Sequence, residues 1–249
     1  MVEIAPGSVV LVGGGPGDPG LITVAGLEAI KQADVILYDR LAPLECLEQA
    51  REDAEQINVG KIPRGEFTPQ EQINAMLIKY AKAGKKVVRF KGGDNFVFGR
   101  GGEEWQACAT EGIPVQVIPG VTSSIAAPAL AGVPVTHRTL TQGFTVVSGH
   151  VPPNDPRSTL NWEALAKTKT TLVILMGIHY LEQICETLLA SGLDPETPAA
   201  VIQEAGHDSQ RSLRTTVGKL AAEVKAAGIE PPAVTVIGEV AGLDLDAGN

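Results

Sequence analysis

The chain has 249 residues, with 20 Lys and Arg against 29 Asp and Glu, a formal charge of −9. Hydrophobic residues make up 44% and aromatics only 4%. That is too apolar for a disordered chain. It also lacks the basic footprint and the stacking platforms of a nucleic-acid binder.

Taken in chain order, short β-branched runs alternate with helical patterns. Ser8–Val12 is a buried-strand pattern, Leu21–Gln32 a helix with Leu27 and Ile30 on one face, and Asp34–Tyr38 the next strand. Gln56–Val59 is a weaker strand. A helix then opens with Thr68 as N-cap, Pro69 at its first position and Glu71 completing a capping box, and Gly84 stops it. Lys86–Phe90, Glu103–Glu111 and Pro114–Ile118 continue as strand, helix and strand. This alternation predicts parallel βαβ units.

After Pro119-Gly120 the pattern changes. Thr122–Leu130 is an Ala-rich helix, followed by strands at Phe144–Val147 and Thr171–Leu175 and a helix at His179–Leu189. Ala199–Gln203 and Arg211–Val217 have no helix between them, which predicts antiparallel pairing. Lys219–Ala227 and Ala233–Ile237 close the chain as helix and strand. The expected fold is therefore α/β in two domains, 1–120 on a mostly parallel sheet and 121–249 on a mixed one. His150–Ser158 is a polar, Pro-rich surface loop.

Cys46, Cys108 and Cys185 are odd in number and widely spaced, so neither a disulfide framework nor a zinc site is signalled. Four scattered histidines give no ligand pattern, and no metal is expected. The N-terminus has neither a basic nor a long apolar region, and no run approaches the ~20 apolar residues of a membrane span. A cytoplasmic protein with a small-molecule ligand, and no nucleic-acid or membrane partner, is the expectation.

Three glycine-rich turns follow strands. Gly15-Pro16-Gly17-Asp18-Pro19-Gly20 matches the dinucleotide fingerprint G-x-G-x-x-G literally. Its chemistry argues against that use, because Pro16 and Pro19 remove N–H donors and Asp18 adds a negative charge. Such a turn suits a ligand lying against the backbone. A nicotinamide-dependent oxidoreductase remains the rival reading of this loop. The second cluster, Lys91 to Glu104, holds five glycines for close approach, with Asp94 able to accept hydrogen bonds from a ligand and Phe96 and Phe98 beside it. The third, Pro119 to Ser124, opens a helix. Asp39 at a strand end could be a general base or simply a cap.

In order along the chain, Val12–Asp18, Leu37-Tyr38-Asp39-Arg40-Leu41, Lys91-Gly92-Gly93-Asp94, Phe98–Glu104, Val117–Ser123, Gly132–Arg138, Met176-Gly177 and Pro232-Ala233 resemble the tetrapyrrole methylase family. The resemblance runs from about Val9 to Leu243. It implies two α/β domains with an active-site cleft between them, a homodimer, and S-adenosylmethionine as co-substrate without a metal. Within the family, Tyr38–Leu41 and Gly99–Glu104 point to C-methylation of uroporphyrinogen III, at C2 and C7. The product would be precorrin-2, formed through precorrin-1 for sirohaem or cobalamin. A later precorrin methyltransferase and a non-catalytic tetrapyrrole or nucleotide carrier are the alternatives.

By the same resemblance, the adenosylmethionine contacts fall on Pro16, Gly92, Gly93, Asp94, Val97, Thr122, Ser123, Met176, Ala205 and Ala233. Asp39 matches the proton acceptor and Lys61 the proton donor. Three positions depart from the pattern: Ile62–Phe67 replaces a short basic stretch, Asn95 a proline, and Leu175 a tyrosine. The substrate would carry eight carboxylates, which is unexpected for so acidic a chain. Yet residues 1–138 hold 13 of the 20 cations. Arg40, Arg64, Lys91, Arg100 and Arg138, with Phe98, are the candidate substrate contacts, since guanidinium forks match carboxylates.

Overall fold

The computed structural model describes residues 3–60, 68–243 and 245. It divides into two compact units, Met1–Thr122 and Ser123–Asn249.

The first unit is a five-stranded sheet built from β1 (Val9–Gly13), β2 (Val35–Tyr38), β3 (Glu55–Asn58), β4 (Val87–Lys91) and β5 (Val115–Ile118). Its order is β3-β2-β4-β1-β5, and all four pairings are parallel. Helices α1 (Val24–Gln32), α2 (Gln70–Lys82) and α3 (Gly101–Thr110) connect them. Period-two alternation explains why both faces are apolar: Val10, Val12, Val88 and Phe90 join one core, while Val9, Leu11, Val35 and Leu37 join the other.

The helix starts differ from expectation in three places. Helix α1 begins at Val24 because Pro19–Leu21 forms a separate 3₁₀ turn capped by Asp18; Thr23 then accepts from Gly26 N–H at 3.0 Å. In α2, Pro69 occupies the cap position and no side chain caps the helix, so the Thr68–Glu71 box does not form. Helix α3 starts two residues earlier, after Arg100 in a left-handed conformation.

The second unit carries α4 (Ser123–Leu130), β6 (Phe144–Ser148), α5 (Trp162–Lys167), β7 (Thr171–Leu175), α6 (Leu181–Ala190), β8 (Pro198–Gln203), β9 (Arg211–Thr216), α7 (Val217–Ala226) and β10 (Ala233–Ile237). Its sheet order is β6-β7-β10-β8-β9. Only β6 and β7 run parallel; β10 is antiparallel to both neighbours, and β8 and β9 pair antiparallel as the missing helix between them predicts. Short α5 has no long apolar period and escapes sequence reading. Among the described residues no helix is long and apolar enough to cross a membrane.

All three cysteines are buried as free thiols. Burial pushes Cys108 and Cys185 up to about 11. Native protein at pH 8 is therefore expected to react slowly with a thiol reagent and urea-unfolded protein at once, as a timed labelling assay would read. Because these folded-state values lie above the ordinary 9.0, their contribution to stability is complete below pH 9 and disappears as pH rises towards 11. A urea midpoint unchanged between pH 8 and 10.5 would contradict this.

Candidate active site

In a parallel sheet all carboxyl ends lie along one edge, and ligands gather where neighbouring connections diverge. Here the connection from β1 passes β4 to reach β2 and that from β4 passes β1 to reach β5, so these two neighbouring strands send their chains off in opposite directions. The glycine loops sit there. Gly14 N–H donates to Lys91 C=O at 2.7 Å, while Gly15 and Gly93 exchange N–H···O=C bonds at 3.1 and 2.6 Å. These N–H groups are already used, which removes the cradle that a dinucleotide pyrophosphate would need. Half-buried Pro16 follows directly.

The third turn joins the same knot. A Cβ on Gly120 would lie 2.2 Å from Gly93 O, and one on Gly92 would lie 2.4 Å from Leu41 O. Only glycine allows these loops to touch. Asp94 ties them: Oδ1 accepts from Phe96 and Val97 N–H at 2.8 and 3.2 Å, and Oδ2 accepts from Gly120 N–H at 3.2 Å. Asn95 is fully buried and donates to the Leu11 and Ile118 carbonyls. These two bonds anchor the loop to β1 and β5.

Asp39 follows β2 and is half-buried. Its Oδ1 accepts from Arg89 Nη2 at 2.7 Å, and its Oδ2 lies 3.9 Å from Lys91 Nζ. Arg89 Nε and Lys91 Nζ also meet Glu104 Oε1, at 2.8 and 3.1 Å. Parity explains the grouping, since Leu37 and Arg89 are register partners and odd-numbered residues of β2 and β4 face α2 and α3. Burial and the neighbouring Arg89 lower the Lys91 pKa from its ordinary value. Burial opposes the Arg89 charge too, but Asp39 and Glu104 outweigh it and the pKa is raised.

This corrects one expectation. Lys91 is 4% exposed and held by Glu104, so it is not a surface cation free to grip a substrate carboxylate. Arg89 and Glu104 were not among the expected site residues. An arginine between the apolar Val88 and Phe90 of a buried strand was the signal that could have found them.

The remaining candidates differ in setting. Arg40 and Arg138 are exposed and form no ion pair among the described residues. Arg100 is exposed and forked onto Glu103 at 3.0 and 2.7 Å. Phe98 is exposed, and neighbouring Phe96 packs on Trp105 with ring centroids 6.3 Å apart. Thr122, just before α4, and Ser123, its first residue, are half-buried. Lys61 and Arg64 lie outside the described residues.

In the second unit, Met176, Ala205 and Ala233 share one sheet edge. Met176 follows β7, Ala205 lies two residues beyond β8, and Ala233 opens β10, which is antiparallel to both. Met176 is left-handed (φ 58°) and 47% exposed. Among the described residues the non-glycine positions with positive φ are Phe98, Arg100, Met176 and Glu204. All four fall in these two loop edges. No group of three or more His, Cys, Asp or Glu among the described residues could hold a metal ion.

Fold and site together define a two-unit α/β protein whose ligand loops are glycine turns with their own N–H groups spent, unlike a dinucleotide-binding domain. Residues 8–221 match the model for tetrapyrrole (corrin/porphyrin) methylases. The chain belongs to that family. It is 48% identical over 234 residues to a uroporphyrinogen-III C-methyltransferase of Priestia megaterium, covering 94% of this chain and 98% of that one. It is also 45% identical to a siroheme synthase of Acinetobacter baylyi, over 95% of this chain but only 51% of the relative. The structure of a uroporphyrin-III C-methyltransferase from Thermus thermophilus, complexed with S-adenosylhomocysteine, superposes with TM-score 0.79 at 39% identity, covering 94% of this chain and 98% of that one.

Proposed function

We propose that this chain transfers methyl groups from S-adenosylmethionine to C2 and C7 of uroporphyrinogen III, giving precorrin-2 through precorrin-1 for sirohaem or cobalamin. The observation that carries this reading is Asp39, a carboxylate half-exposed at the end of a buried ion network. It stands beside glycine loops whose close approach admits no side chain.

S-adenosylmethionine is the co-substrate in this reading. By the family resemblance, Pro16, Gly92, Gly93, Asp94, Val97, Thr122, Ser123, Met176, Ala205 and Ala233 are its proposed contacts. Bound there, it supplies an electrophilic methyl group that needs no metal. The chain's own part is alignment, exclusion of water and management of one proton. Carbon attack from a pyrrole places positive charge on its ring nitrogen, and Asp39 is the acceptor for that N–H. Resemblance alone assigns Lys61 the complementary donor role.

Exposed Arg40 and Arg138 are proposed to grip substrate carboxylates, with Phe98 against the macrocycle. Arg64 belongs to this proposal by resemblance, and Arg100 would have to exchange Glu103 for the substrate. Alanine at Arg40 or Arg138 is expected to raise the KM for the tetrapyrrole about tenfold, the loss of one charge-assisted contact of roughly 1.5 kcal/mol. Adenosylmethionine affinity should stay unchanged; a native KM in both variants removes them from the substrate's path. Homodimeric assembly, which the family resemblance implies, and a cytoplasmic location complete the proposal.

The deciding experiment is incubation with uroporphyrinogen III and S-adenosylmethionine, counting added methyl groups by mass. Two are expected. No addition to this substrate, together with addition to a precorrin, would move the assignment to a later ring methyltransferase.

A further inference from the structure

We propose that Glu104, acting through Arg89 and Lys91, is a positioning residue for Asp39. The inference rests on the methyl-transfer reading and names what holds its proton acceptor in place.

Glu104 is fully buried in the first turn of α3, and Arg89 and Lys91 are 2% and 4% exposed. Its Oε1 receives Arg89 Nε at 2.8 Å, Lys91 Nζ at 3.1 Å and Gln70 Nε2 at 3.3 Å. Its Oε2 is buried without a hydrogen-bond partner among the described residues. One oxygen thus anchors the group, supported by the positive end of the helix dipole.

Two cations and two carboxylates make this cluster neutral. Without Glu104, two buried cations would face only half-exposed Asp39, and buried charges left without partners rearrange or admit water. The geometry is directional as well. The Arg89 guanidinium is planar, so fixing Nε on Glu104 fixes where Nη2 points, and Nη2 holds Asp39 at 2.7 Å. Arg89 also donates to the Leu37 and Phe90 carbonyls, which pins it to the ends of β2 and β4. Asp39 therefore sits at the exposed tip of a rigid chain of contacts that begins in α3. A burial requirement alone would be met more cheaply by apolar side chains of similar volume.

The test compares wild type, Glu104→Gln, Asp39→Asn and the double variant in methyl transfer. Glu104→Gln is expected to lower kcat about ten- to a hundredfold, as misplacement of a catalytic group by on the order of 1 Å does. Adenosylmethionine affinity should stay within about twofold. In the Asp39→Asn background the same change should cost no more than about twofold, since a residue working through Asp39 has nothing left to act on. Equal losses in both backgrounds, or native kcat in Glu104→Gln, overturn the proposal.

If Glu104→Gln does not fold, Arg89→Lys replaces it with the same expectations, because an ammonium cannot bridge both carboxylates as the fork does. A crystal structure of the folded variant gives a readout without turnover. An Asp39 carboxylate shifted by on the order of 1 Å supports the proposal, and an unmoved one overturns it. Wild type that transfers no methyl group would instead overturn the proposed function, while the crystal structure still decides the positioning role.

Discussion

Asp39→Asn is expected to lower turnover on uroporphyrinogen III by about 10²- to 10⁴-fold, the range spanned by a positioned acid–base group. The amide keeps the shape of the carboxylate but cannot take a proton from a pyrrole N–H. Adenosylmethionine affinity should remain within about twofold, because Asp39 contacts Arg89 and Lys91 rather than the glycine knot. Arg89 keeps Glu104 as a partner in the variant, so the fold should survive. Calorimetric titration with adenosylmethionine and steady-state methyl transfer separate the two effects. Native turnover would remove Asp39 from the chemistry; lost cofactor binding would make it a structural residue.

Gly120→Ala should be the most damaging single methyl group in the first unit. The added Cβ would meet Gly93 O at 2.2 Å and Gly13 carbonyl carbon at 2.6 Å, both backbone atoms that no rotamer change can move. Destabilisation of about 3 kcal/mol, the upper end of overpacking costs, is expected in urea unfolding. Adenosylmethionine affinity should fall at least about tenfold with it, since the displaced carbonyl belongs to Gly93, one of the proposed cofactor contacts. Gly102→Ala is the control. Its Cβ would meet nothing within 4 Å, and it lies in the first turn of α3. Stability there should change by less than about 1 kcal/mol. Equal effects of the two substitutions would refute the interlocked-loop account.

The strands were legible because their patterns are local. Val9–Val12 and Val35–Leu37 are apolar without interruption, which is the mark of a strand covered on both faces. The helix starts were less legible because caps compete. Thr68, Pro69 and Glu71 spell a capping box, but the helix begins one residue too late for Thr68 to serve it. Met176, Ala205 and Ala233 could be assigned only through family resemblance, as nothing local marks an alanine as a ligand contact.

The ion network shows the limit most clearly. Arg89, Lys91, Glu104 and Asp39 are separated by up to 65 positions, from Asp39 to Glu104, and as single residues three of them look like ordinary surface charges. Counting cations by position suggested that Lys91 faces a polyanionic substrate, whereas burial turns it inward onto Glu104.

By itself the sequence determined the α/β class, the change from parallel to mixed sheet, the three glycine turns and the family, because each is written in periodicity or contiguous motifs. Only the tertiary structure decided which charges are partners and which N–H groups are already spent. Strand register and helix packing bring distant residues within 3 Å, and that proximity, not residue type, separates a buried counter-ion from a free one.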